Sequence, residues 1–316
     1  MNYYPLGKTS LRVSELCFGT LVMSPLQANL PIKEGQILLE HAIDRGINFF
    51  DTAELYQSYA YFRSLSPSKK QAIVIASKSY AVDEKEMTEA IEESLQELGR
   101  DYIDIFKLHE QESVLTLKGH RGALQAMQKA KEQGKIRAIG VSTHSVKLVE
   151  QLALHPEFEV VHPLFNYMGH GYMHGTIEEQ EENLKKLYSA GRGIYVMKPF
   201  GGGRFSMDFQ TAFSYVHQFP YKHAIAIGMK NRAEVDVNCA LVENTFHPNM
   251  IPSLQLKEKK LFYRRALCAG CLTCVDACPS KVIQASSDGG ICINHDSCTL
   301  CGYCLSKCPH LALRLL

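Results

Sequence analysis

The chain has 316 residues, 46% of them hydrophobic, and a formal net charge of +1. That length suits one large domain with a small one beside it, and the apolar share is enough for a sizeable core. Near-neutral charge gives no electrostatic basis for a nucleic-acid partner, and no run of eighteen apolar residues suggests a membrane span.

The first residues, MNYYPLGKTSLRV, carry no apolar leader run, so a cytoplasmic location is expected. From about residue 15 to 242, short apolar runs alternate with longer amphipathic stretches. The strand-like runs begin at Glu15 (ELCFGT), Gly46 (GINFFD), Ala72 (AIVIASK), Tyr102 (YIDIFKLH), Ile136 (IRAIGVS), Glu159 (EVVHPLFN), Gly193 (GIYVMKP) and His223 (HAIAIG). Helical patterns lie between them. One runs from Asp83, a candidate N-cap, to Gly99, a candidate stop, and another starts near Gly119. Eight strand signals with intervening helices predict an α/β fold, a (β/α)8 TIM barrel over residues 1–244. A doubly wound open sheet is the alternative, weakened because no Gly-rich phosphate turn follows the first strand. Residues 245–260, with two prolines and mixed charge, read as a linker. Residues 261–316 form a separate cysteine-rich unit.

Barrel sites lie at the C-terminal ends of the strands. Asp51, Lys78 and His109 each end a strand-like run, and Tyr56 follows Asp51 by five residues. An Asp after a strand also suits a helix N-cap, and a lone Tyr also suits packing. Together the four fit carbonyl reduction. A tyrosine hydroxyl near pKa ~10 is a poor acid at neutral pH, and an adjacent ammonium from Lys78 favours its phenolate. Asp51 would neutralise Lys78, and His109 would hydrogen-bond a carbonyl oxygen.

The C-terminal unit repeats one pattern. Cys268, Cys271 and Cys274 are followed by Cys278-Pro279, and Cys298, Cys301 and Cys304 by Cys308-Pro309. Three thiolates at this spacing hold one corner of an iron–sulfur cube, and the fourth ligates the other cluster. The expected ligand sets are Cys268, Cys271, Cys274, Cys308 and Cys298, Cys301, Cys304, Cys278, for two [4Fe–4S] clusters. A zinc site would want paired cysteines or Cys with His at longer separation. A disulfide framework belongs to small secreted domains. Cys17, Cys239 and Cys292 read as packed apolar residues. His144, His162, His170 and His174 read as loop residues, with a metal site as the alternative.

Two resemblances follow. Roughly the last fifty residues resemble the bacterial two-cluster ferredoxins, with an α+β fold. Residues 3–242 resemble the aldo-keto reductases through LGKTSLRVSELCFGT, GINFFDTAELY, Ser77-Lys78, DYIDIFKLH and GVSTH from Gly140. The second resemblance implies the Asp51–Tyr56–Lys78–His109 tetrad and a nicotinamide cofactor, usually NADPH, across the barrel mouth. Ser142 and Asn166 match the positions that hold the carboxamide. His162 stands where the family has Gln, and Met197 where an aromatic stacks on the nicotinamide. Lys198, Gly201 and Gly202 belong to a loop expected to approach the pyrophosphate. Lys230, Arg232 and Asn238 match the adenosine end. Arg192 and Arg204 are further candidate bases, and Val237 replaces a Glu. Lys230 and Arg232 also read as solvated surface charges.

A hydride carries two electrons and each cluster passes one, so the fusion admits three readings. The barrel is an NADPH-dependent reductase with accessory clusters; or the clusters feed the barrel from an external electron donor or acceptor protein; or the barrel is a docking scaffold in an electron-transfer protein. The loops Met23–Pro31 and Met168–Thr176 are expected to line a pocket for a small-molecule substrate. The linker, long enough to return to the barrel mouth, leads us to expect the small unit on the C-terminal face. Packing on the outer helices is the alternative.

Overall fold

The computed structural model describes residues 1–254 and 259–315. Eight parallel strands close a barrel: β1 Leu16–Gly19, β2 Phe49–Asp51, β3 Val74–Ser79, β4 Ile103–Leu108, β5 Ile136–Thr143, β6 Val160–Pro163, β7 Gly193–Met197 and β8 Ala224–Gly228. β8 closes onto β1, with Ile225 opposite Leu16. Each strand coincides with one of the eight apolar runs. The helices sit outside the strands, and their apolar faces build one large core with residues such as Phe50, Phe62, Phe106 and Phe165. A ribbon of Tyr3–Pro5 and Arg12–Ser14 contributes Leu6, Leu11 and Val13 to a second cluster inside the barrel, with Cys17, Phe49, Ile105 and Tyr195.

Local chemistry places the helix ends. The helix Glu84–Leu98 starts where the Asp83 side chain accepts from the Glu86 amide, and ends at Gly99 in the left-handed conformation. The pattern near Gly119 divides: a short helix Val114–Gly119 ends there, and Arg121–Glu132 follows.

The last barrel helix runs Arg232–Val242, and a 3-10 turn spans Pro248–Ser253. Residues 255–258 of the expected linker, and Leu316, lie outside the described residues. The small domain holds two antiparallel ribbons. β9 Leu261–Tyr263 pairs with β12 Leu313–Leu315, and β10 Ile283–Ala285 with β11 Ile291–Ile293. Two four-residue helices, Thr273–Asp276 and Tyr303–Ser306, each carry the third cysteine of a repeat. Cys17 and Cys239 are buried, but Cys292 is exposed. On β11 the alternation turns Ile291 into the core and Cys292 to the surface, correcting its expected core position. No helix among the described residues is long and apolar enough to cross a membrane.

The small domain caps the C-terminal face of the barrel. Gln27 Nε2 donates to the Cys301 carbonyl at 3.4 Å, and His170 Nε2 lies 2.9 Å from the Cys298 carbonyl. Arg204 hydrogen-bonds the His295 carbonyl, and Lys281 pairs with Glu112 at 3.1 Å. These barrel residues sit on the loops after β1, β4, β6 and β7.

Candidate active site at the barrel mouth

Asp51 ends β2, Lys78 lies near the end of β3, His109 follows β4, and Tyr56 lies in a 3-10 turn, Glu54–Tyr56. The fold brings all four to one pocket. Lys78 Nζ donates to Asp51 Oδ1 at 2.5 Å and to the Thr52 carbonyl at 2.9 Å. The same ammonium lies 4.6 Å from the Tyr56 ring centroid. His109 stacks on Tyr80, and Tyr80 donates to Glu110 at 2.5 Å.

A second lysine shares the carboxylate. Lys107 Nζ contacts Asp51 Oδ2 and the Tyr195 hydroxyl, and Tyr195 donates to Asp51 at 2.8 Å. Lys78 and Lys107 stand opposite each other in the β3–β4 register, and Gly140 is the partner of Lys107 on β5. A Cβ at Gly140 would stand 2.8 Å from Lys107 Cγ, so the glycine makes room for that side chain. Sequence reading missed Lys107, Tyr195 and His162 as members of this network. His162 Nε2 lies 3.8 Å from Asp51, and its ring stacks on Tyr195.

The electrostatics follow from burial and these contacts. Burial pushes the Asp51 carboxyl up, but Lys107, Lys78 and His162 outweigh it and hold the group far below the usual carboxylate range. Burial lowers Lys107 to about 7 against the pull of Asp51. Lys78 is also pulled down by burial, yet Asp51 and Tyr56 keep it above its ordinary value. Burial, with Lys78 and Lys107, keeps His109 neutral. For Tyr56, burial raises the phenol and Lys78 offsets only part of that rise. The expected lowering of Tyr56 is therefore corrected: in this capped pocket desolvation outweighs the ammonium.

The cap itself reaches the tetrad. Tyr303, between Cys301 and Cys304, places its hydroxyl 3.1 Å from His109 Nε2 and donates to the Tyr56 hydroxyl at 3.4 Å. It packs with Leu26, Ala53 and Tyr56.

The cleft continues from the tetrad past Lys198 and Gly202 to Lys230 and Asn238, and Lys259 also lines it. Its far end presents ammonium groups and an amide, which fit a nucleotide's phosphates and base. Arg232, in the adjoining helix, and Gly201, in the turn after β7, lie outside the lining. At the near end Ser142, His162 and Met197 line the cleft beside the tetrad, and Asn166 does not. The Asn166 side chain accepts from the Met168 and His170 amides and donates to the His170 carbonyl at 3.0 Å. The Ser142 hydroxyl accepts from the Glu110 amide at 2.9 Å. His162 Nδ1 bonds the Tyr195 carbonyl at 2.7 Å. Of the two positions matched to carboxamide anchors, Ser142 thus lines the cleft while bonding backbone, and Asn166 bonds the loop after β6. Lys198 Nζ lies 3.1 Å from His144 Nε2, which lies 3.4 Å from Glu110. Gly202 packs its backbone against Thr299 of the small domain. The loop Met168–Thr176 also turns to that domain through His170, instead of lining the pocket; in Met23–Pro31, Gln27 does both.

The eight paired cysteines fall into two neighbourhoods. Cys308, Cys268 and Cys271 act electrostatically on Cys274, while Cys301, Cys278 and Cys298 act most strongly on Cys304. No three His, Cys, Asp or Glu side chains among the described residues converge on one ion.

Comparison with known proteins agrees with this architecture. The model of the aldo/keto reductase family matches residues 15–212, and that of a 4Fe-4S dicluster domain matches residues 267–313. A probable voltage-gated potassium channel subunit beta from Oryza sativa is 24% identical over 220 residues, 64% of this chain and 65% of that protein. L-galactose dehydrogenase from Arabidopsis thaliana is 26% identical over 211 residues, 63% of this chain and 65% of that protein. A methylglyoxal reductase from Salmonella typhimurium is 25% identical over 169 residues, 51% of this chain and 61% of that protein. The chain thus spans about two thirds or less of these relatives' lengths. A putative aldo-keto reductase structure from Pseudomonas aeruginosa superposes with a TM-score of 0.66 at 23% identity, covering 77% of this chain and 94% of that one. With a barrel that gathers Asp51, Tyr56, Lys78 and His109 in one pocket and a C-terminal unit matched by the 4Fe-4S dicluster model, this chain belongs to the aldo/keto reductase family.

Proposed function

We propose that this protein reduces the carbonyl group of a small molecule at the barrel mouth, with two [4Fe–4S] clusters as the electron source. One cluster is held by Cys298, Cys301, Cys304 and Cys278, and the other by Cys268, Cys271, Cys274 and Cys308. The observation that carries the reading is Tyr303: a residue between two ligands of one cluster touches both Tyr56 and His109. One carbonyl takes up two electrons and two protons and becomes one alcohol. The π bond between carbon and oxygen breaks, and one C–H and one O–H bond form. When bound, the clusters would supply these electrons singly, drawn from a low-potential one-electron carrier protein. Tyr56 gives the oxygen its proton and Lys78 restores it, while solvent supplies the proton on carbon. Neutral His109 donates to the oxygen and orients it.

The relative named methylglyoxal reductase makes methylglyoxal a reasonable first carbonyl to try. A second reading is favoured by Lys230, Lys259 and Asn238 at the far end of the cleft. Under it a nucleotide binds there, and NADPH is the one the resemblance implies. Anaerobic titration of the holoprotein separates the two. Dithionite supports reduction of methylglyoxal or another small aldehyde without any nucleotide under the first reading. Turnover that requires NADPH and proceeds with oxidised clusters establishes the second.

A further inference from the structure

The Tyr56 hydroxyl and His109 Nε2 define the point where a bound carbonyl oxygen accepts two hydrogen bonds. That point is taken. The Tyr303 hydroxyl stands 3.1 Å from one group and 3.4 Å from the other. Tyr303 is 6% exposed, and its ring lies 6.1 Å from the His109 ring and 6.4 Å from that of Tyr56. A substrate oxygen and the Tyr303 oxygen are both too large to share the position.

We propose that Tyr303 is the resting occupant of the substrate-oxygen site, and that an entering carbonyl or carboxylate oxygen displaces its hydroxyl. Ligand binding is thereby coupled to the iron–sulfur cluster held by Cys301 and Cys304. This deepens the proposed function, because it rests on the same pocket. It does not need the clusters to reduce anything.

The geometry gives the residue both roles. Its backbone is fixed between cluster ligands. Gly302, immediately before it, holds a left-handed φ of +83°, and a Cβ there would stand 2.7 Å from the Leu26 carbonyl. The chain is thus clamped against the barrel loop after β1. The side chain beyond it is a lever. Rotation about its own dihedrals moves the hydroxyl off Tyr56 and His109 while the thiolates stay in place. In the resting state the hydroxyl partners the tetrad groups in a buried setting, where an unpaired polar group is costly. In the bound state the displaced ring stands against the ligand, beside the cluster. Binding that moves the ring changes the surroundings of the cluster, and by reciprocity reduction of the cluster changes ligand affinity by the same factor.

The test uses the full-length holoprotein and benzoate, whose carboxylate accepts two hydrogen bonds and is not readily reduced. Benzoate affinity is measured for wild type, Tyr303→Phe, Tyr303→Ala and Tyr56→Phe, with iron content confirming intact clusters. The electron paramagnetic resonance spectrum and potential of each reduced cluster are recorded with and without benzoate. We expect Tyr303→Phe to bind benzoate roughly 5- to 10-fold more tightly, the worth of one displaced hydrogen bond. Benzoate is expected to shift the signal of the Cys301 cluster in wild type and to leave the other cluster unchanged. A tenfold preference for one redox state would appear as about 59 mV in its potential. Equal affinities in wild type and Tyr303→Phe, or no shift at the Cys301 cluster, overturn the proposal. So does the absence of Tyr56-dependent binding in both wild type and Tyr303→Ala, since the vacated site would then hold no oxygen acceptor. A shift at that cluster without any carbonyl reduction would uphold the coupling and sink the electron-delivery reading alone.

Discussion

Two ammonium groups share the Asp51 carboxylate in a buried network that also holds Tyr195 and His162. Removing the carboxylate charge alone leaves both lysines without their counter-ion. Asp51→Asn should therefore lose roughly 3–5 kcal/mol in denaturant unfolding, as for other broken buried pairs. Lys107 acts in the opposite sense. Its ammonium falls from an ordinary 10.5 to about 7 on folding, so its burial cost is full below pH 7 and fades as pH rises toward 10.5. Between those values the unfolded chain binds a proton that the native state lacks, and stability climbs by at most about 1.4 kcal/mol per pH unit. Lys107→Met should flatten that climb in unfolding curves measured from pH 6.5 to 9.5; an unchanged slope would show that Lys107 is not the group responsible. Tyr56→Phe should keep the clusters and lose about 100-fold or more in turnover, as for a missing general acid. Lys107 was legible in principle. Period two along β4 puts Ile105, Lys107 and His109 on one face, and Ile105 faces the barrel interior. Attention to strand ends alone passed over it, whereas Asp51, Lys78 and His109 stood out because each ends an apolar run.

At the scale of elements, strands and caps were readable because their causes are local. Eight apolar runs gave eight strands, and Asp83 and Gly99 bound their helix by side-chain acceptance and a left-handed stop. The loops were only partly legible, because some of their partners lie far away in sequence. The Gly201–Gly203 loop, expected at a pyrophosphate, presses Gly202 onto the small domain. Gly202 has φ +72°, and an added Cβ would stand 2.2 Å from the Thr299 carbonyl oxygen. Gly202→Ala must push that backbone away, at a cost of roughly 1–3 kcal/mol. Limited proteolysis between residues 245 and 260 should quicken in this variant while the barrel stays folded; a wild-type cleavage rate would contradict the contact. The Lys281–Glu112 pair carries little of the docking, because Lys281 is 72% exposed, and Lys281→Ala should change stability by under about 0.5 kcal/mol.

Over the whole molecule the two cysteine neighbourhoods differ in position. Cys301 lines the barrel pocket, whereas Cys271 is exposed beside exposed Leu272, although Cys274 of the same set is buried. Under the proposed function, electrons from a carrier would enter at the outer cluster and pass through the inner one to the barrel. Reconstituted protein should hold about eight iron and eight sulfide per chain, on the content of two cubanes. Cys278→Ala should lose the inner cluster, though Cys278 belongs to the outer repeat in sequence; loss of the outer cluster would refute the crossed ligation. The repeats were plain in the sequence, but the seat of Tyr303 was not, because its counterpart in the first repeat is Thr273 and nothing local announces an interface. Electron passage from cluster to barrel is put to the test by single turnover. Protein reduced with dithionite, freed of excess reductant and of nucleotide, is mixed with an aldehyde and freeze-quenched for electron paramagnetic resonance. The reduced-cluster signals should decay as alcohol forms, one alcohol per two electrons, and Tyr56→Phe should slow both together. Clusters that stay reduced while aldehyde persists, or while only NADPH drives its reduction, would contradict it.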